Sequence, residues 1–284
     1  MKKILLLAIA IIGMATIALA ATKPEQKQFA HFSIDDVFEP LIDITENADT
    51  YSSIFENEFF AFLKDLHDKY DITVTCNLFY KGRGEKSLDD VTDHFKKEFR
   101  ANSDWLKFSW HGRNGYERYT DPKLNNEAVA SYIATNDAIC RFAGKKSLTT
   151  FIRPSFFSGN KELWRMMRAT KYGFDGMYGS DDGRAADAGL DEDERAEIAT
   201  NYIYTSADGM QYVKSIVRFD NKNAEQGREI INAVINRENP VAIYGIFMHQ
   251  QSIIPYNANA CAACEEAIKI LHGKGIPFAF PKGK

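Results

Sequence analysis

Ala30-His-Phe-Ser-Ile-Asp-Asp36 is a short, apolar-rich run that ends on two acids, the pattern of a buried strand with polar groups at its C-terminal end. Helix-like and strand-like segments alternate outward from it. Phe55 to His67 places Phe59, Phe60, Phe62, Leu63 and Leu66 at helical spacing, and Ile72 to Tyr80 is β-branched and aromatic, hence a strand. Ser87-Leu-Asp-Asp90 offers a capping-box-like start for a helix reaching about Arg100, and Trp105 to His111 alternates like a strand. Asn125 to Phe142 is helical in pattern, with Gly144 as its stop. Thr149 to Pro154 reads as a strand entering a turn, Lys161 to Thr170 as a helix, and Gly173 to Tyr178 as a short strand. Asn201 to Phe219 looks like a hairpin with Ala207-Asp208-Gly209 at its tip. Glu225 to Asn236 is helical, Val241 to Met248 is an apolar strand, Ala260 to Leu271 is a helix, and Ile276 to Phe280 closes the chain as a short strand. Strands alternating with helices of this length imply βαβ units and a mainly parallel sheet. About seven such repeats in one domain predict an α/β chain closed, or nearly closed, into a barrel.

In parallel barrels the site lies where strands end in βα loops. Asp35-Asp36, His111, Arg153-Pro154 and His249 all fall at the C-terminal ends of predicted strands. Two adjacent carboxylates repel each other when both ionise, and a bound cation relieves that repulsion. The bland reading is an acidic turn or helix cap, but this pair follows a buried run rather than a solvated one. His111 enters Gly112-Arg-Asn-Gly115 and suits a metal ligand; a satisfied core histidine is the alternative. Arg153 before Pro154 suits a carboxylate partner, and His249 suits a general acid. A surface arginine and a structural histidine are their plain alternatives. The shared position of all four is what favours a site.

Composition narrows the class. The formal net charge is −4 with no basic patch, which argues against nucleic acid as a partner. Met1-Lys2-Lys3, the uncharged run Ile4 to Ile17 and the small-x-small Ala18-Leu19-Ala20 read as a signal peptide over residues 1–20. The run is short of the about 20 residues that span a bilayer, so the expected product is an exported domain over 21–284, periplasmic or extracellular, with no membrane partner after cleavage. A hairpin insertion near 201–219 is expected within that domain. The four cysteines suit an oxidising compartment. Cys261 and Cys264 form a C-x-x-C at a helix start, either a local disulfide or two ordinary thiols, while Cys76 and Cys140 read as core.

The order of these motifs resembles the polysaccharide deacetylases, the NodB-homology group that forms carbohydrate esterase family four. Phe32-Ser-Ile-Asp-Asp36 is similar to their Asp-Asp motif, Trp110-His-Gly-Arg-Asn-Gly115 to their histidine motif and Phe151-Ile-Arg-Pro-Ser-Phe156 to their Arg-x-Pro loop. Gly173 to Asp182 is similar to the stretch ending in an acid that pairs with that arginine, and Ile246-Phe-Met-His249 to the final histidine motif. The resemblance implies a distorted parallel (β/α) barrel of about seven strands that binds one divalent metal, often zinc, and removes acetyl groups from a polysaccharide or oligosaccharide. By residue it implies Asp35 as general base, Asp36 and His111 as metal ligands, and His249 as general acid. It further implies Arg153 holding Asp35, with Asp181 supporting Arg153, and a backbone N–H near Phe156 on the oxyanion.

One departure stands out. The family places two histidines four apart in the second motif, whereas His111 is followed at that spacing by Gly115. Asp36 and His111 fall short of the three protein ligands usual for catalytic zinc; an oxygen of Asn114 or extra water is one way to fill the gap. A non-catalytic saccharide binder is therefore the second reading, with Trp110, Tyr116 and Tyr119 as aromatic platforms for sugar rings. A glycoside hydrolase ranks last, since its two carboxyls sit roughly 5 to 9.5 Å apart across the scissile bond and adjacent acids serve that poorly.

Overall fold

Within β1 (Phe29–Val37) the side chains split by parity. Phe32, Ile34 and Val37 join the main apolar cluster, while His31 and Asp35 bond Thr75 and Asn77 on the neighbouring strand. Ser33 accepts from Arg153 and the His31 ring stacks on Tyr178, residues of segments that do not pair with β1. Contacts that reach past the neighbouring strands mean that the second face lines the inside of a barrel. That interior is polar, holding His31, Ser33, Asp35, Asn77, Ser109 and Arg153 among the buried polar side chains.

The computed structural model describes residues 27–82 and 84–281. After β1 come α1 (Glu39–Glu46), α2 (Glu58–Tyr70), β2 (Val74–Phe79), α3 (Lys96–Ala101), β3 (Leu106–Gly112) and α4 (Asn125–Phe142). Then follow β4 (Phe151–Ile152), α5 (Lys161–Arg168), β5 (Gly176–Gly179), α6 (Glu192–Asn201) and β6 (Ile203–Thr205). The chain finishes with β7 (Gln211–Arg218), α7 (Ala224–Ile235), β8 (Ile243–His249) and α8 (Ala258–Gly273). The sheet runs β3-β2-β1-β8-β7-β5-β4 with every one of these pairings parallel. The barrel nearly closes where Phe108 of β3 bridges Leu148 and accepts a hydrogen bond from Thr149 N–H at 3.2 Å. Side-chain caps set several helix starts: Asn57, Asn160, Asp191, Asn223 and Asn257 each accept from a backbone N–H of the first turn.

Four segments differ from the sequence-based expectation. The helix expected over 87–100 is a single turn at Leu88–Asp90 followed by α3. Between them Thr92 N–H donates to Thr45 Oγ1 at 3.0 Å and His94 N–H to Thr92 Oγ1 at 3.2 Å, side-chain bonds that replace the helical ones. The strand expected over 149–154 shortens to Phe151–Ile152 before the chain turns at Pro154. Residues 276–280 only clasp β1, through Ala30 N–H to Pro277 O at 2.8 Å and Ala279 N–H to Ala30 O at 3.0 Å. In the 201–219 hairpin β6 and β7 are antiparallel, but β7 is also a parallel member of the barrel, so β6 alone is the added strand.

The C-x-x-C lies inside α8 with both cysteines buried as free thiols. Burial pushes Cys261 up to about 11 and Cys264 well above its ordinary value, so neither is poised for redox work. Among the described residues no helix is long and apolar enough to cross a membrane. The signal-peptide reading of residues 1–20 lies outside the described residues.

His31 is expected to make the fold acid-sensitive. Its Nε2 lies 3.0 Å from Thr75 Oγ1 and its ring stacks on Tyr178 with centroids 4.1 Å apart. Burial first, and the Arg153 charge second, hold its pKa well below the ordinary imidazole value. The unfolded chain takes up a proton that the folded chain refuses. This contribution to stability is therefore whole above about pH 6.5 and is lost at up to ~1.4 kcal/mol per pH unit below it. Thermal unfolding followed from about pH 7 to about pH 5 is expected to fall less steeply in His31→Gln than in the wild type; parallel curves would remove His31 from the account.

Candidate active site

Successive residues of a strand face opposite ways, so Asp35 and Asp36 cannot both reach one cleft from a regular β1. The pairing of β1 with β2 slips between Ile34 and Val37, and Asp36 has a left-handed φ of 62°. This bulge re-aims the second acid. A second slip between β2 and β3, after Leu78, falls beside His111. The two irregularities bring Asp36 Oδ1 to 3.1 Å from His111 Nε2. The following turn is pinned by Gln250, whose Oε1 accepts Phe38 N–H at 2.9 Å and whose Nε2 donates to Glu39 at 2.7 Å.

Asp35 stays inside the barrel, 1% exposed. Its Oδ1 accepts from Asn77 Nδ2 at 2.7 Å and lies 3.3 Å from Arg153 Nε, an ion pair whose angle falls short of a hydrogen bond. Ser109 Oγ donates to Asn77 Oδ1 at 2.8 Å and so fixes that amide. Arg153 is fully buried and is gripped on three sides. It donates to Ser215 Oγ at 3.0 Å and Ser33 Oγ at 3.1 Å, and its guanidinium lies 4.0 Å from the Phe247 ring centre. Asp35 Oδ2 takes no hydrogen bond from any described residue, which leaves one oxygen of the acid free.

His249 pairs in register with Asp35 on the adjacent strand. Its Nδ1–H donates to Asp220 Oδ2 at 2.5 Å, and Asp220 also accepts from His249 N–H at 2.9 Å and Ser252 Oγ at 2.7 Å. Burial works against a charged His249. The Asp220 hydrogen bond and the charges of Asp35, Asp220 and Asp36 outweigh it, so the pKa is raised. Burial likewise disfavours charge on Asp36, but the hydrogen bond and charge of His111, then His249 and Gln251, hold its carboxyl below the ordinary value.

The Arg153 carbonyl accepts from His111 Nδ1 at 2.5 Å, so in the neutral ring Nε2 presents a lone pair to Asp36. Two electron-rich atoms 3.1 Å apart repel unless a cation, a proton or a metal ion, lies between them. Their separation also matches the edge between neighbouring ligands on one metal, about 2.9 to 3.4 Å for bonds of about 2.0 to 2.1 Å. Asp36 and His111 therefore fit a divalent ion. Among the described residues no third His, Cys, Asp or Glu joins them. Gly115 lines the same cleft of about 170 Å³, together with Tyr116, Phe79, Lys81 and Gln251. A larger cavity of about 430 Å³ between β5, β7 and α6 contains none of these groups.

Structural comparison returns carbohydrate esterases of family four. A family 4 acetyl xylan esterase from Clostridium thermocellum, determined with a cobalt ion, has 16% identity and a TM-score of 0.48, with 89% of this chain and 87% of that chain covered. A peptidoglycan deacetylase from Bacillus subtilis has 18% identity and a TM-score of 0.44, with coverage of 90% and 89%. A family pseudoenzyme from Bacillus anthracis has 12% identity and a TM-score of 0.45, with coverage of 90% and 64%. No family profile matches the sequence, and no curated protein matches it.

Not every expected residue takes its place. Trp110 is fully buried, donates Nε1–H to Ser131 Oγ at 3.0 Å and packs on Tyr119 and Tyr132, so it is core and not a sugar platform. Parity decides this, since Ser109 and His111 take the inward positions of β3. Tyr119 is buried as well, its hydroxyl donating to Glu117 Oε2 at 3.0 Å. Tyr116 is 80% exposed at the cleft rim. Asp181 contributes a favourable charge to Arg153, but its direct bond is from Arg218 N–H at 3.1 Å. Phe156 is half-buried in the turn after Pro154, with φ 54° and its ring 4.5 Å from the Arg118 guanidinium. Asn114 Oδ1 accepts from Tyr116 N–H at 2.9 Å and its Nδ2 donates to Glu117 at 3.1 Å, which fixes the amide at the cleft wall.

Asn77, Asp220, Ser33 and Ser215 complete the site and were not expected from sequence. Asp220 follows the same strand-end rule as the others, but the hairpin reading of 201–219 hid β7 from that rule. Asp220→Asn is expected to lower turnover by about 10- to 100-fold, part of what a general acid contributes, while thermal stability changes little. Unchanged steady-state kinetics would show that His249 does not need this partner.

Proposed function

We propose that this chain is an exported, metal-dependent carbohydrate deacetylase that hydrolyses N- or O-acetyl groups on a polysaccharide. The observation that carries it is the convergence, at one barrel end, of a half-free acid (Asp35), an Asp36–His111 edge fit for a cation, and a His249–Asp220 pair. Asp36 and His111 would hold a divalent ion such as zinc, whose chemistry when bound is Lewis-acid polarisation of the acetyl carbonyl and of the attacking water. Asp35 Oδ2 takes a proton from that water, while Asn77 and Arg153 keep the other oxygen fixed. His249, whose proton the Asp220 hydrogen bond favours, gives a proton to the departing sugar nitrogen or oxygen. Water is consumed, and acetate and a free amine or hydroxyl leave. A backbone N–H near Phe156 would stabilise the oxyanion.

Purified mature protein with added zinc or cobalt is expected to release acetate from acetylated oligosaccharides and to stop when the metal is chelated. No release and no bound divalent metal would sink the proposal. A second reading, a saccharide binder without turnover, is favoured by the absence of a third metal-binding His, Cys, Asp or Glu among the described residues. Oligosaccharide binding that is indifferent to chelator, without acetate release, would establish it instead.

A further inference from the structure

Gln251 reaches the carboxylate that the cation would share. It follows the strand end of β8 and lines the Asp36 cleft. Its Nε2 lies 3.2 Å from Asp36 Oδ2, the oxygen that His111 does not contact. A terminal amide carries a donor and an acceptor on interchangeable ends. Facing a bare carboxylate, the N–H end turns inward. Beside a divalent ion the preference reverses, because the carbonyl dipole then points its oxygen at positive charge.

The neighbouring amides lack this freedom. Asn114 holds Tyr116 N–H with its oxygen and gives its nitrogen to Glu117 at 3.1 Å. Gln250 is held at both ends, by Phe38 N–H at 2.9 Å and Glu39 at 2.7 Å. Gln251 Oε1 has no hydrogen-bond partner among the described residues, so turning the amide over breaks only the bond to Asp36.

We propose that Gln251 is the third protein ligand of a divalent cation held by Asp36 and His111. It supplies an oxygen from the β8 side where Gly115 supplies no side chain. The proposal rests on the reading of Asp36 and His111 as a cation site. A set of one nitrogen and two oxygens, one of them neutral, is harder than a set of one carboxylate and two histidines and carries the same charge. It therefore suits zinc, cobalt or manganese in place of a thiophilic ion.

Affinity and the cobalt spectrum together decide it. If Gln251 ligates, Gln251→Ala removes a donor and Gln251→Glu exchanges a neutral for a charged oxygen on the cation, so affinity and spectrum both change. If Gln251 only donates an N–H to Asp36, the added carboxylate of Gln251→Glu still attracts the cation through space, but the cobalt spectrum stays that of the wild type. Zinc and cobalt affinities are measured by calorimetry on the mature protein, with the visible absorption of the cobalt form recorded for each variant. Gln251→Ala is expected to weaken binding by about tenfold or more and Gln251→Glu to tighten it by a similar factor, each with a shifted cobalt spectrum. Weaker binding in Gln251→Glu, or tighter binding with the wild-type cobalt spectrum, overturns the proposal. So does an unchanged affinity and spectrum in Gln251→Ala while Asp36→Asn abolishes binding, a result that leaves the cation site itself intact. Wild-type protein that binds neither metal overturns both the ligand assignment and the reading beneath it.

Discussion

Asp35→Asn is expected to abolish acetate release and to destabilise the fold at the same time. The acid and its partner Arg153 are 1% and 0% exposed, so neither charge has water to fall back on. Neutralising Asp35 leaves the guanidinium buried with only the hydroxyls of Ser33 and Ser215 and the ring faces around it. Removing one member of such a pair costs about 3 to 5 kcal/mol, most of it the cost of stranding the other charge. Loss of the free oxygen that takes the proton lowers turnover by at least about 10²-fold. Denaturant unfolding measures the first effect and acetate release the second. Arg153→Met should destabilise for the converse reason, and the double variant should be more stable than the two single losses summed, by about 1 kcal/mol or more. Additive losses would show that the 3.3 Å pair contributes no mutual stabilisation.

Gly115→His is expected to tighten zinc binding by about 10- to 100-fold, the scale on which ligand shells control metal affinity. Gly115 lies in the wall of the cleft that contains Asp36. A Cβ added there meets only the Phe79 ring edge at 3.6 Å, an ordinary contact, and the backbone carries no positive φ to forbid a side chain. The new imidazole would join Asp36 and His111 from the same loop that follows β3. Titration of zinc into the two proteins, with competition by a chelator of known strength, checks it. Equal or weaker binding would mean that position 115 points away from the ion. The outcome bears on Gln251 too, since a fully satisfied ion needs that amide less.

The alternation of strand and helix patterns was legible because each element carries its own periodicity, and that sufficed to predict a parallel barrel of about seven strands. The strand-end rule then collected Asp35, Asp36, His111, Arg153 and His249 onto one end. Local patterns failed where side chains choose between neighbours. Trp110 and His111 are adjacent in sequence, and nothing in the strand's composition says which one faces inward; Ser109, bonded to its register partner Asn77 on the inner face of β2, decides it. Asp220 was missed because an antiparallel hairpin and a barrel strand share the same alternation, and only pairing with β5 and β8 tells them apart.

The Asp35–Asp36 pair draws the same division. Its place at the end of a strand follows from the apolar and polar order of residues 29–37, since strand formation and burial parity are local properties of the chain. The separate duties of the two acids are not local. They arise from a bulge against β2, from Asn77 arriving on β2 and Arg153 just past the end of β4, and from the Arg153 carbonyl that aims His111 at Asp36. Each of these depends on register between segments far apart in sequence, and register is set only when the barrel closes.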